Sequence, residues 1–142
     1  MSNYSPTKND CAGEIAKSKK RIQEISSQLT SPKVKGQSQL VEQMAIEKTK
    51  IYLWEKGYWV LREQQKRGPA DLYAYKIVGN RKIDYFIDAK GIHPRVNYKP
   101  AFKRRAPSKF KERDTILNRI QSIVYKGKIV FKDLNNEEVK IK

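Results

Sequence analysis

The first hydrophobic pattern along the chain is a seam of four aliphatic side chains, Ile15, Ile22, Ile25 and Leu29. Their spacing of seven, three and four residues predicts a helix over residues 12–29, because such positions share one helical face. Residues 1–11 are expected to form a flexible tail, and Pro32 and Gly36 mark a linker after the helix. An apolar seam on such an arm must pack on a partner subunit or on its own domain. The reach that the linker gives the arm favours the partner.

The next patterns predict a long helix followed by strands. Apolar positions recur with helical spacing between Ser38 and Lys56, and Gly57 is a natural C-terminal stop. Three short segments rich in aromatic and β-branched residues predict strands at residues 58–62, 70–78 and 81–90. Only Gly79-Asn80 separates the last two segments, and this dipeptide suits a two-residue hairpin loop.

The rest of the chain predicts further α and β elements. A basic loop at residues 91–107 precedes a third helix, predicted from Ser108 to about Tyr125. Residues 128–133 and 137–141 predict a weaker hairpin. The predicted organisation is an α/β domain over residues 38–142, preceded by a tail and helical arm over residues 1–37.

Composition excludes several classes of protein. One cysteine, Cys11, and one histidine, His93, exclude an internal disulfide and a zinc finger or ribbon. No apolar run reaches the roughly 18 residues that span a membrane, and the N-terminus lacks a secretory signal, so a soluble, cytoplasmic protein is expected. The formal net charge of +16 favours nucleic acid as the partner. An anionic membrane is disfavoured because a basic amphipathic helix with an aromatic face is missing.

The predicted hairpin brings two carboxylates together. If Gly79 and Asn80 form the loop, Val78 pairs with Arg81, and the same register places Asp71 opposite Asp88. Two like charges so close together are unfavourable, and a divalent cation between them would remove the repulsion.

The ligand chemistry selects a hard cation. Oxygen ligands without a nearby histidine predict Mg²⁺, with Mn²⁺ as a substitute. Lys90 lies two residues after Asp88 and projects to the same face, where its ammonium can stabilise charge on a phosphate or assist proton transfer. An ordinary cross-strand network of ion pairs without metal is the alternative.

These residues resemble the active site of the PD-(D/E)xK nucleases. The matching segments are Gly68-Pro69-Ala70-Asp71 and Asp88-Ala89-Lys90-Gly91, preceded by a helix with acidic residues that ends at Gly57-Tyr58. The layout is most similar to archaeal Holliday junction resolvases and phage junction-resolving endonucleases, over about residues 40–125. The resemblance implies a restriction-endonuclease-like core, in which a mixed central sheet is flanked by helices. The helical arm has no place in the family pattern, and Ala70 separates Pro69 from Asp71, where many members have Pro-Asp.

The resemblance also implies a role for each site residue. Asp71 and Asp88 would be metal ligands, Lys90 the catalytic lysine, and the main-chain carbonyl of Ala89 a further ligand. Glu47 would be the helix carboxylate that completes the metal shell, because it lies ten residues before Gly57. Glu42 and Glu63 are the alternatives for that last role.

Basic residues on both sides of the motif predict contacts with DNA phosphates. They are Lys66, Arg67, Arg95, Lys99, Lys103, Arg104, Arg105, Lys109 and Lys111. Aromatic residues at Tyr98, Phe102 and Phe110 are interleaved with them and either stack on bases or anchor the loop. His93 is expected to be structural or to face DNA.

The sequence therefore predicts a magnesium-dependent DNA endonuclease, structure-selective in the manner of a Holliday junction resolvase. Because such an enzyme cuts two opposed strands, a symmetric homodimer is expected. The alternatives are a duplex-cutting enzyme of restriction or homing type, a nuclease acting on single strands or RNA, and a non-catalytic nucleic-acid-binding protein with the same fold.

Overall fold

The computed structural model describes residues 6, 8–31, 33–62, 70–95 and 111–142. These residues form an α/β fold of helices and a mixed sheet. In chain order the elements are α1 (Lys8–Gln28), α2 (Gln37–Glu55), β1 (Trp59–Arg62), β2 (Leu72–Val78), β3 (Arg81–Gly91), α3 (Lys111–Ile116), β4 (Arg119–Tyr125) and β5 (Lys128–Lys132).

The described strands form one five-stranded sheet in the order β1-β2-β3-β4-β5. β3 and β4 pair in parallel, and the other neighbouring strands pair antiparallel. The predicted hairpin register is confirmed, because Val78 pairs with Arg81 and Leu72 pairs with Ile87. Gly79 has a φ of 62°, which is the left-handed conformation that a tight hairpin loop requires at this position.

Helix α2 covers one face of the sheet, and the hydrophobic core lies between them. Its Ala45 and Leu53 are buried together with Ile87 and Ala89 of β3. A polar contact crosses this core, where the Thr49 hydroxyl donates to the Ala45 carbonyl oxygen at 2.7 Å and lies 2.9 Å from the Ser122 hydroxyl. Because each of these buried hydroxyls has a partner, the contact fixes the rotation of α2 over β4 without leaving an unsatisfied polar group.

Helix α1 packs on α2 of its own domain, the second of the two locations predicted for the arm. Ile25 is fully buried, and Arg21 Nη2 donates to Gln43 Oε1 at 2.9 Å. The helix begins at Lys8, so the predicted flexible tail of residues 1–11 is too long. The most buried positions are Cys11, Ser18 and Ile25, spaced by seven, whereas Ile15 and Ile22 are half-buried.

The prediction of a helix from Ser108 to Tyr125 is confirmed for residues 111–116 and wrong for residues 119–125, which form a strand. Helix α3 ends at Ile116, and Asn118 adopts a left-handed φ of 52° before β4 begins. β-branched residues at Ile120, Ile123 and Val124 favour a strand, and pairing of β4 on both edges buries them.

The end of the chain forms a reduced version of the predicted hairpin. One bridge joins Lys132 to Glu138, and the Val139 N–H donates to the Phe131 carbonyl oxygen at 2.8 Å. The main partner of β5 is β4, through a turn in which Lys126 and Gly127 have φ values of 49° and 82°. No helix in the described ranges is both long and apolar enough to cross a membrane.

Gly91 permits α2 to approach the end of β3. A Cβ atom at this position would lie 2.5 Å from Val41 Cγ1 and 2.6 Å from the Val41 carbonyl oxygen. Both distances are shorter than real Cβ contacts, so any larger residue must displace the helix from the strand.

We expect Gly91→Ala to lower the free energy of unfolding by about 1–3 kcal/mol, because the added methyl group overpacks this contact. Gly13→Ala is the matched control. Gly13 is exposed in α1, and a methyl group added there would have nothing within 4 Å, so that change should raise the free energy of unfolding by about 0.5–1 kcal/mol. Urea unfolding measures both, and equal effects at the two glycines would contradict the tight contact.

Candidate active site

Strand β3 presents two charged side chains at the end that α2 approaches. Ile87 and Ala89 are fully buried in the core, so the alternating residues Asp88 and Lys90 leave the strand on the other face. The long Lys90 side chain extends back from the end of the strand to Glu42 of α2. Asp88 is 9% exposed and pairs in register with Gln121 of β4, which is also buried. The Lys90 side chain is 30% exposed.

Asp71 reaches the same end of β3 from the other strand of the hairpin. It lies just before β2, and its Oδ2 accepts a hydrogen bond from the Ala89 main-chain N–H at 2.9 Å. The ladder of paired residues ends at Leu72 and Ile87, one step before the predicted pairing of Asp71 with Asp88. Asp71 therefore lies beside the Asp88-Ala89-Lys90 segment and bonds to its main chain.

The electrostatic environment raises the pKa of Asp71. Burial is the largest cause, and the charge of Asp88 raises the pKa further. The Ala89 N–H and the charge of Lys90 act in the opposite direction, and the charge of Glu42 adds to the repulsion. Three acids and one lysine therefore act on one another at this end of the sheet.

Each of the other two acids has a cationic partner. Arg119 of β4 forms an ion pair with Asp88, through its Nη2 and the Asp88 Oδ2, and both side chains are largely buried. Lys90 Nζ lies 3.7 Å from Glu42 Oε1 of α2. The Lys90–Glu42 pair joins β3 to α2, and the Asp88–Arg119 pair joins β3 to β4. The three elements therefore meet at the site.

Helix geometry places Glu42 rather than Glu47 beside Lys90. Glu42 lies seven residues before Thr49, which is almost two full turns, so the two side chains share the face toward the sheet. Glu47 lies two residues before Thr49, about 160° around the helix. It is buried on that other side, where its Oε2 lies 3.3 Å from Lys50 Nζ.

Glu47 lies away from the other predicted site residues. The resemblance favours it by its distance from Gly57, and the structure places it in an i,i+3 ion pair with Lys50. Glu42, the first alternative, is the helix carboxylate next to Lys90. The signal that distinguishes them is the helical face shared with Thr49. Glu63, the other alternative, lies outside the described residues.

The carboxylates suit a hard divalent cation through a small number of direct ligands. Among the described side chains, no group of three His, Cys, Asp or Glu residues is arranged to hold a metal ion. Mg²⁺ commonly binds proteins through one or two carboxylates and keeps several waters. Asp71 and Asp88 supply that number, and the N–H of Ala89 fixes the orientation of Asp71.

Little of the predicted DNA surface falls within the described residues. Arg95 is exposed, and its N–H donates to His93 Nδ1 at 3.1 Å. The His93 ring is buried, with Nε2 lying 3.3 Å from Gln37 Oε1 at the start of α2, which supports a structural role. The predicted contacts Lys66, Arg67, Lys99, Lys103, Arg104, Arg105 and Lys109, and the side chain of Lys111, lie outside the described part of the chain.

Arg119 and Gln121 are the site residues that the sequence did not reveal. Both were predicted to lie in a helix, where neither could be placed next to Asp88. Only the assignment of residues 119–125 as a strand parallel to β3 brings them to the site. An alternation of polar Arg119 and Gln121 with apolar Ile120 was the available signal.

No protein-family model, curated protein or solved structure matches this chain. Its function is therefore inferred from the chemistry and geometry of the site.

We expect Asp71→Asn to stabilise the metal-free protein increasingly as pH rises. The pKa of Asp71 is raised above its unfolded value, so the native state binds the proton more tightly than the unfolded state. Its contribution to stability is present at low pH and is lost as pH rises through the interval between the two pKa values. The amide can still accept from the Ala89 N–H but has no charge.

The measurement is the free energy of unfolding from urea titrations between about pH 4 and about pH 7, with a chelator present. The difference between variant and wild type should grow with pH. Parallel curves for the two proteins would show that Asp71 is not under this electrostatic strain.

Proposed function

We propose that this protein is a divalent-cation-dependent DNA endonuclease with a restriction-endonuclease-like core. One observation carries the proposal. Asp71, which follows Gly68-Pro69-Ala70, hydrogen-bonds to the main chain of Ala89, between Asp88 and Lys90. Two motifs separated by sixteen residues of sequence thus meet at one point of the fold.

The proposed roles follow from the position of each residue. Asp71 and Asp88 would hold Mg²⁺ or Mn²⁺, with the Ala89 carbonyl as a further predicted ligand. A cation bound there would neutralise charge on the scissile phosphate and lower the pKa of a coordinated water. Asp71 is pre-oriented for ligation, because the Ala89 N–H bonds to its Oδ2 and thereby directs Oδ1, which would bind the cation.

Lys90 would act on the phosphate and the attacking water. Its ammonium projects from the same face as Asp88 and is partly exposed, so a phosphate oxygen can reach it. Glu42 lies within ion-pairing distance and would hold the ammonium in place at the site. In this arrangement Lys90 stabilises negative charge on the phosphate, and Glu42 positions Lys90.

The positive charge of the chain supports DNA as the substrate. A net charge of +16 favours a polyanion, and phosphate contacts by Lys and Arg supply most of the affinity in such complexes. Selectivity for four-way junctions, and a homodimer that presents two sites, are part of the proposal and come from the resemblance to junction-resolving enzymes. Duplex cutting of the restriction or homing type is the alternative specificity.

A non-catalytic nucleic-acid-binding protein is a second candidate, and the ion pairs favour it. Asp88 pairs with Arg119 and Glu42 pairs with Lys90, so two acids of the site are neutralised without a cation. Such a protein would bind DNA equally well with and without Mg²⁺.

The decisive test is cleavage of a four-way junction, a linear duplex, single-stranded DNA and RNA, with and without Mg²⁺. We expect Mg²⁺-dependent cleavage of DNA, fastest on the junction. Binding of all substrates without cleavage would support the second candidate instead.

We expect Asp88→Asn to abolish cleavage while DNA affinity is kept or improved, because a carboxylate near phosphates opposes binding. Asp84→Asn is the matched control. Asp84 lies on the same strand and face, and it contacts Tyr73 and Lys82 rather than the site. Single-turnover rates and gel-shift titrations measure both effects. Cleavage by Asp88→Asn at the wild-type rate would exclude Asp88 as a metal ligand.

We expect Glu42→Gln to slow cleavage by about tenfold or more, because Lys90 loses the carboxylate that positions it. Glu47→Gln should cleave within about twofold of wild type, because Glu47 faces away from the sheet. Single-turnover rates at several pH values separate the two. A larger loss for Glu47→Gln would restore Glu47 as the helix carboxylate of the site.

A further inference from the structure

Arg119 is a cationic residue inside the candidate site, and its role is not explained by the roles proposed so far. It is the first residue of β4 and pairs in register with Phe86. Because paired residues of neighbouring strands share a face, Arg119 lies on the same face as Asp88, diagonally across the parallel pair. The guanidinium contacts Asp88, with 16% and 13% of the two side chains exposed.

The charge balance of the site suggests what this contact does. Glu42, Asp71 and Asp88 bring three negative charges, and Lys90 and Arg119 bring two positive charges. Without Arg119, the repulsion between Asp71 and Asp88 would be opposed mainly by Lys90. A divalent cation bound between the two aspartates would be repelled by the nearby positive charge of Arg119.

We propose that Arg119 and the divalent cation compete for Asp88, and that displaced Arg119 binds a phosphate of the DNA. The inference rests on the proposed function. In the metal-free protein the guanidinium holds Asp88 and neutralises it. With the cation bound, Asp88 no longer compensates Arg119, and an anionic phosphate replaces it as the partner.

The chemistry of arginine suits both partners. A guanidinium stays charged at all relevant pH values and presents planar pairs of donors that match carboxylates and phosphates equally well. Moving from Asp88 to a phosphate at the adjacent cation needs a change of side-chain rotamer and no movement of β4. The exchange would couple metal loading to capture of the substrate.

Arg119→Met tests the competition, because it removes the charge and keeps an unbranched side chain. Mn²⁺ affinity is measured calorimetrically without DNA. We expect the variant to bind Mn²⁺ about tenfold more tightly than wild type, since one close charge changes cation affinity at a carboxylate by at least this factor. Its single-turnover cleavage rate should fall, because the phosphate contact is lost.

The control is Arg81→Met, which removes an exposed arginine at the far end of β3. It should leave both the Mn²⁺ affinity and the cleavage rate unchanged. Weaker or unchanged Mn²⁺ binding by Arg119→Met would overturn the proposal, because Arg119 would then orient Asp88 as a ligand or merely support the fold.

A second measurement covers the case in which Arg119→Met does not fold. The side-chain N–H resonance of Arg119, identified by its loss in Arg119→Lys, is followed while Mg²⁺ is added to wild type. If the cation displaces Arg119 from Asp88, this resonance should shift when Mg²⁺ is added. An unchanged resonance would overturn the proposal. Wild type that neither binds Mn²⁺ nor cleaves DNA would instead refute the proposed function, which keeps the two failures distinct.

Discussion

The close contact between Val41 and Gly91 is the constraint on which the site depends. It sets the distance of α2 from the end of β3, and the hydroxyl contact between Thr49 and Ser122 sets the rotation of the helix. With distance and rotation fixed, Glu42 lies beside Lys90 and Glu47 lies on the far side. Gly91 therefore helps to determine which helix carboxylate lies beside Lys90.

The clustered acids of the candidate site carry an electrostatic cost. Burial and like charges raise the pKa of Asp71, which is unfavourable for a folded protein at neutral pH. The N–H of Ala89 and the ammonium of Lys90 offset this at Asp71, and the guanidinium of Arg119 neutralises Asp88. Conflicts of this kind are expected at functional sites rather than in ordinary surface networks.

The hairpin was predictable from the sequence because its geometry is local. The two-residue loop at Gly79-Asn80 fixes which residues of β2 and β3 pair. Counting back along both strands from the loop then gives the pairing as far as Leu72, next to Asp71. The rest of the site depends on long-range packing, which a single sequence does not display. Residues 119–125 become a strand because β3 and β5 bury them from both sides, and this tertiary context overrides a weak helical pattern. Which of Glu42 and Glu47 lies beside Lys90 likewise depends on how α2 packs on β4, and that contact joins residues 73 positions apart in the sequence.

The parallel pairing of β3 with β4 also has a consequence for the order of folding. The β2–β3 hairpin joins neighbouring segments, whereas Arg119 reaches Asp88 across 31 residues of sequence. Closing the longer loop has the larger entropic cost, so local pairings tend to form before distant ones. A nascent hairpin would thus hold Asp71 and Asp88 near each other before Arg119 is present to neutralise Asp88. During that interval Lys90 and ions from the surrounding solution are the available counter-charge.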